Sequence, residues 1–486
     1  MVKWFNTDSW LYKKRYLIGY LLVIAAFAWL LVIAGTRVPN GLSPGERASF
    51  VTSAGLDLQN IDTLAESSLP FYAAQRGVIE LLGPSTISIK ALSLTLALVT
   101  GIGAVFLLRR WFKPNIALLA TIIMVTTGQF LYVAQAGLPS ITFVMWSVWL
   151  LLTATMITTS ERHKKVWKFL FFLLVPLSLY TPFSIYLVLA IVSAGLLHPH
   201  VRHVLRKMPK LHLLLLILMS LVIVAPLGYL IIRNPELGFH LLGLPETWPP
   251  DIGANANLLL QQYFNFVHPQ SGTLMTPVLG LGSITLIFLG AWRLFKIRYT
   301  ARSYTIVTWM LLLIPILLIN PLYTTITFVP LLILMAYGLE FLLRSWYGIF
   351  PKNPYARFVG MVPLAILVAG LTISGIDRFY YGYRYDPATA SNFSKDLTLL
   401  ETKVRSDDRP ITLVVTQDEV DFYTAIANTS KDSEGKLTVT TSAPTTNTQR
   451  LVATHAAKSK VNRQIDTIIT SASSKDADRF YIYKTK

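Results

Sequence analysis

Long blocks of apolar residues alternate along this chain with short polar, mostly basic stretches. A helix crossing a hydrocarbon core of roughly 30 Å needs about 20 such residues, so block length is the first signal. Tyr16 to Thr36, Ala91 to Leu108, Asn115 to Val133, Ile141 to Thr158, Leu211 to Ile232, Leu274 to Trp292, Tyr304 to Asn320, Thr324 to Leu343 and Phe358 to Ser374 each read as one spanning helix. The run from Val166 to Leu197 is broken at Tyr180-Thr-Pro-Phe183 and reads as two short tilted helices. Eleven spans are expected. The first follows a basic stretch, but it is longer than the apolar core of a signal peptide and Arg37-Val-Pro39 is a poor cleavage site, so it reads as a retained anchor.

The basic residues fall on alternate connections, from Lys3 and Lys13 through Arg109, Arg162, Arg202 and Arg293 to Arg344. That side holds 22 basic residues against two acids; the opposite loops and membrane positions hold five against ten. Positive loops stay cytoplasmic, which predicts a cytoplasmic N-terminus and an extracytoplasmic C-terminus in the plasma membrane. The formal charge of +18 is therefore a record of topology and lipid contact, and no nucleic-acid partner is expected. With no cysteine, thiolate catalysis and disulfides are excluded.

Three regions lie outside the apolar blocks: residues 37–90, 233–273, and the tail from 378 onward. The tail mixes β-rich stretches (Ile411 to Thr416, Lys436 to Thr441, Phe480 to Tyr483) with helical ones (Ser394 to Val404, Glu419 to Asn428). It is expected to form a compact α/β domain, with Thr429 to Gln449 largely loop. Residues 1–377 form the membrane domain.

The first outer loop carries an ordered set of motifs: Asn40-Gly-Leu-Ser-Pro-Gly-Glu46-Arg-Ala-Ser49, Leu69-Pro-Phe-Tyr72, Ile79-Glu-Leu-Leu-Gly-Pro84 and Lys90-Ala-Leu-Ser93. Asn257 to Phe266 and Phe328 to Leu339 follow in the same order. Together they resemble family 39-like glycosyltransferases of the GT-C fold, the superfamily of protein O-mannosyltransferases and aminoarabinose transferases. The resemblance implies an all-α polytopic membrane protein with a small extracytoplasmic α/β domain. It also implies transfer of a sugar from a polyprenyl-phosphate donor to an extracytoplasmic acceptor, with membrane lipids around it and no cofactor. In such enzymes an acid of the first outer loop takes the acceptor proton, and cations hold the lipid phosphate. Three departures from the family pattern, at Gly45-Glu46, Tyr132-Val-Ala-Gln-Ala-Gly137 and Asn320-Pro-Leu-Tyr-Thr-Thr325, leave a second reading open: a non-catalytic homologue that binds lipid-linked glycan or scaffolds an envelope complex.

Glu46 is the leading catalytic candidate, with Asp57 and Asp62 behind it. Glu46 also fits a helix-capping carboxylate, and the other two fit solvated loop acids. Arg76 and Lys90 are candidate phosphate contacts or snorkelling cations, and Arg47, Tyr72, Gln135 and His268 complete the substrate-binding set. No histidine spacing resembles a metal site. Glu340 and Arg344 are spaced as a helical ion pair. If Glu46 is a base in an exposed loop, Glu46→Gln abolishes transfer and leaves stability nearly unchanged.

Overall fold

The structure is a computed structural model and describes residues 10–38, 40–57, 59–160, 163–245, 247–266, 277–297, 299–349, 353–385, 392–404, 410–429, 437–444, 450–471 and 479–484. The chain opens with α1 (Trp10–Arg37), α2 (Pro44–Gly55), α3 (Leu69–Leu82), α4 (Thr86–Trp111), α5 (Pro114–Thr126), α6 (Gly128–Gln135) and α7 (Ser140–Thr159). It continues with α8 (Lys164–Ser178), α9 (Ser184–Leu197), α10 (Pro199–Arg206), α11 (Lys210–Arg233), α12 (Pro235–Leu242) and α13 (Ile252–Phe264). The bundle closes with α14 (Leu281–Lys296), α15 (Ala301–Ile319), α16 (Phe328–Ile349) and α17 (Pro354–Tyr385).

Among the described residues seven helices are long and apolar enough to cross a membrane, or up to nine if each of two bent pairs is one span. The expected eleven also need α8 and α14, which have only 15 and 16 residues. The break expected near Tyr180 is present, between α8 and α9.

One expected continuous span, Asn115 to Val133, is instead bent by 64° between α5 and α6. Thr127 is extended there, and its hydroxyl donates to the Met124 carbonyl at 2.8 Å, while Thr126 donates to the Ile122 carbonyl at 2.7 Å. Hydroxyls that bond back to the preceding turn replace ladder hydrogen bonds, which lets the helix turn at Gly128. The bend swings α6 across the bundle. A second bend of 89° separates α9 from α10, where Pro199 at the first position of α10 pushes His198 into extended backbone.

Glycines set the closest crossing in the bundle. A Cβ on Gly290 of α14 would overlap the Leu334 carbonyl of α16, and one on Gly338 would overlap the Leu286 carbonyl. Small residues permit such contact where neither neighbour has a hydrophobic drive to leave lipid. The expected Glu340 and Arg344 pair is present on α16 at 3.0 Å.

The tail is a five-stranded sheet of β1 (Ile411–Val414), β2 (Leu437–Thr440), β3 (Arg450–Thr454), β4 (Ile465–Thr470) and β5 (Arg479–Tyr483), in the order β2-β1-β3-β5-β4. The first three strands are parallel and β5 is antiparallel to both β3 and β4. Helix α18 (Val420–Thr429) connects β1 to β2. The three strands expected from sequence are present, and β3 and β4 are additions.

Helix α17 runs unbroken past the expected boundary at residue 377, to Tyr385. The tail's core is also continuous with the membrane domain. Leu42, Phe50, Ile79 and Ile89 share one buried cluster with Leu397, Leu413, Phe422 and Val452. Phe50 meets Phe422 edge to face at 5.7 Å, and Leu42 exchanges both backbone hydrogen bonds with Ser394.

Candidate active site

Ser43-Pro-Gly-Glu46 is a helix-start signature, and it forms both halves of a capping box. The Ser43 hydroxyl accepts from the Glu46 N–H at 3.3 Å, and Glu46 Oε2 accepts from the Ser43 N–H at 2.7 Å. The cap aims the other oxygen into the protein. There Oε1 accepts from the Gly137 N–H at 2.9 Å and lies 3.5 Å from Lys90 Nζ.

Glu46, Lys90 and Gln135 are all fully buried. Lys90, in the second turn of α4, donates to Gln135 Oε1 at 2.7 Å, and Phe393 presents its ring 5.9 Å from the ammonium. Gln75 of α3 pins this arrangement. Its amide nitrogen donates to the carbonyls of Ile89 and Gly137 at 3.0 and 3.2 Å, and its oxygen accepts from Ser49 and Ser53. Four helices thus meet at one polar core. A buried ion pair is weak evidence for stability, because desolvation offsets most of the attraction and only added hydrogen bonds recover it.

The polar core continues toward α17. Tyr132 of α6 stacks on Tyr383 with centroids 4.9 Å apart and planes 5° apart, and Tyr383 in turn meets Phe379 and Phe393. Arg378, five residues before Tyr383, donates to the Pro277 carbonyl through Nη1. Along this seam Gln129 Oε1, Gln135 Nε2, the Tyr383 hydroxyl and Arg378 Nη2 are buried without a hydrogen-bond partner among the described residues. Native proteins leave few such atoms, so their gathering beside a buried ion pair marks a place built for polar chemistry.

The remaining candidates lie elsewhere. Arg47 turns away from Glu46 toward the tail, pairing with Asp396 at 3.3 Å and covering the Phe422 ring at 5.2 Å. Arg76 forms a partly exposed i, i+4 pair with Glu80 at 2.7 Å. Tyr72 is half-buried on α3, its phenol pushed up to about 12 by burial and then by the charge of Glu66. Asp57 sits on an exposed turn and accepts from the Gln59 N–H at 2.9 Å. Asp62 belongs to the turn Ile61–Leu64, and its side chain lies outside the described residues, as does all of His268. Glu46, Lys90 and Gln135 therefore converge, and Arg47, Arg76, Tyr72 and Asp57 do not join them. Among the described residues no three His, Asp or Glu gather to hold a metal ion.

Gln75 and Arg378 were not among the residues singled out by sequence. Gln75 had a signal in retrospect: it is a lone amide on the otherwise apolar buried face of α3, beside Phe71 and Ile79. Arg378 had none, because its partner is the carbonyl of residue 277, far away in the chain.

Residues 68–229 match the family described as dolichyl-phosphate-mannose-protein mannosyltransferase. The fold is similar to that of ArnT from Cupriavidus metallidurans in the apo state, with a TM-score of 0.55 and 13% identity over 96% of this chain and 98% of that one. It is also similar to the Archaeoglobus fulgidus oligosaccharyltransferase in the apo form, with a TM-score of 0.50 and 13% identity, covering 89% of this chain and 65% of that one. No curated protein matches the chain in sequence.

Proposed function

We propose that the chain, whose fold is shared with ArnT and whose residues 68–229 match a mannosyltransferase family, is a membrane glycosyltransferase that moves a sugar from a polyprenyl-phosphate carrier to a hydroxyl of an extracytoplasmic acceptor. The reaction centre of this reading is the Glu46–Lys90–Gln135 core. Its orientation follows the charge record, with the tail-domain end of the bundle facing outward.

The observation that carries the reading is the fully buried pair of Glu46 and Lys90 at 3.5 Å. It stores a base and a phosphate-binding cation side by side. A donor phosphate competes with Glu46 for the ammonium, and Arg378, at the far end of the seam, supplies a second cation. Drawing Lys90 toward the phosphate frees Glu46 Oε1, which then takes the acceptor proton. The acceptor oxygen bonds to the sugar's anomeric carbon as the bond from that carbon to the phosphate oxygen breaks. The electron pair leaves with the lipid phosphate, held by the two cations.

A second reading draws on the same site. Both Glu46 oxygens are already committed, to Ser43, Gly137 and Lys90, which suits a chain that binds a lipid-linked glycan without turning it over. The discriminating experiment uses the full chain in nanodiscs with a synthetic polyprenyl-phosphate sugar. The transferase reading expects turnover, a loss of about 10² to 10⁴ in rate for Glu46→Gln, and weakened donor binding for Lys90→Met. Donor binding with no turnover against any acceptor tested selects the second reading.

A further inference from the structure

The tail domain carries a cleft that the reaction centre does not use. It encloses about 670 Å³ between the first turns of α2 and the tail, within the roughly 300 to 1,000 Å³ of small-molecule sites. The membrane-domain wall is Arg47, Ala48, Val51 and Thr52. On the tail side lie Asp418, Asp421 and Phe422, which follow β1, and His455, which follows β3.

That position has a topological meaning. β1 and β3 are parallel neighbours, yet the chain leaves β1 toward β2 at one edge and leaves β3 toward β4 at the other. The two departing loops diverge and open a crevice at the carboxyl ends of the strands. In open α/β sheets this switch point is where ligands bind. The cleft is that crevice, closed on its open side by α2.

The lining decides the ligand class. The segment leading into α18, Val415-Thr-Gln-Asp-Glu419, has no glycine, and three acids crowd the helix start, so the arrangement repels phosphate and nucleotide. Glu419 is consumed locally, accepting from the Thr416 N–H at 3.1 Å and the Thr454 hydroxyl at 2.8 Å, and Asp396 is paired with Arg47. Asp418 and Asp421 are exposed carboxylates, which accept hydrogen bonds and donate none. Beside them Val51 and Ala48 give an apolar wall, with the buried Phe422 ring behind it under Arg47. Hydroxyls for the carboxylates and C–H faces for the apolar wall are what a pyranose offers. We infer that the switch-point cleft between α2 and the tail domain is a subsite for a hydroxyl-rich glycan segment of the acceptor. The inference rests on the transferase reading for the word acceptor, and on the cleft alone for the word glycan.

The test uses the full chain in nanodiscs and saturation-transfer NMR with maltotriose, mannotriose and chitotriose, with trilysine as the cationic comparison. At least one trisaccharide binds the parent. Its affinity falls at least tenfold both in the Asp418→Asn, Asp421→Asn double variant and in Ala48→Trp, which fills the cleft from an exposed wall position. Binding of undecaprenyl phosphate stays unchanged in both. No trisaccharide binding, or binding that neither variant weakens, overturns the inference. Trilysine binding without trisaccharide binding assigns the cleft to a cationic peptide and overturns it too. If the parent binds a trisaccharide at the cleft but no undecaprenyl phosphate, the donor reading fails while the glycan site stands.

Discussion

Replacing Glu46 by Gln removes the charge and one of its two acceptor oxygens, so that when the amide oxygen keeps the Ser43 N–H the amide nitrogen faces the Gly137 N–H and Lys90. Gln serves the same role as Glu at the third helical position of a capping box, so the start of α2 keeps its local hydrogen bonds. Lys90 is then left as a fully buried ammonium with Gln135 as its remaining hydrogen-bond partner. At 3.5 Å and an effective dielectric of about 20, the lost attraction is about 5 kcal/mol. Removing one member of a buried pair costs about 3 to 5 kcal/mol in measured cases. We expect Glu46→Gln to destabilise the chain by that amount, which corrects the sequence-based expectation of unchanged stability. Lys90→Met costs less, because the carboxylate keeps the Ser43 and Gly137 N–H donors. The Glu46→Gln, Lys90→Met double variant recovers most of the loss, since a neutral core of similar volume is often as stable as the pair. Equilibrium unfolding in mixed micelles across the four proteins measures the coupling, expected at about 2 kcal/mol or more. A Glu46→Gln protein within about 0.5 kcal/mol of the parent, the usual range of a surface change, would refute the buried pair. Transfer rates for this variant must therefore be measured on the folded fraction.

Three further outcomes follow from the geometry. Phe50→Ala opens the core shared by α2 and the tail and should cost about 3 to 5 kcal/mol, seen as faster amide exchange in β1 and β3; unchanged exchange there would mean that the tail stands alone. The Tyr72 phenol, raised to about 12 in the folded chain from an ordinary value near 10, contributes stability that is fully present below about pH 10 and is lost as pH climbs through about 12. Tyr72→Phe should therefore lose less stability than the parent over that window, and equal alkaline losses in unfolding measurements would contradict the burial. Because the chain has no cysteine, Asn428→Cys should react with an impermeant thiol reagent in intact cells and Lys207→Cys should not; the reverse pattern would invert the topology.

The bundle was legible because it is written in the commonest code of membrane proteins. Block length and basic-loop spacing depend on the bilayer, which is the same along the whole chain. What failed to read were departures made by local backbone chemistry. The Thr126-Thr127-Gly128 break lies inside an apolar block, where hydropathy averages over it. It matters because the segment after the bend brings Gly137 to the carboxylate of Glu46, Gln135 to Lys90 and Tyr132 to Tyr383. Strand β4 was missed for a different reason: Ile465–Thr470 alternates weakly and pairs with β5 across a register shift.

The site was half legible, and the division follows sequence distance. Glu46 was found from its place in the first outer loop, ten residues past the first apolar block, where the family resemblance expects an acid, and its helix-start alternative was read beside it. Its two roles, cap and candidate base, looked like alternatives in the sequence and turn out to use different oxygens of one carboxylate. Arg47 was assigned to the same chemistry because it is adjacent, yet one step along a helix turns a side chain by roughly 100°. That rotation sends Glu46 to Lys90 and Arg47 to Asp396. A single helical turn therefore holds the base of the proposed reaction on one face and a wall of the glycan cleft on the other.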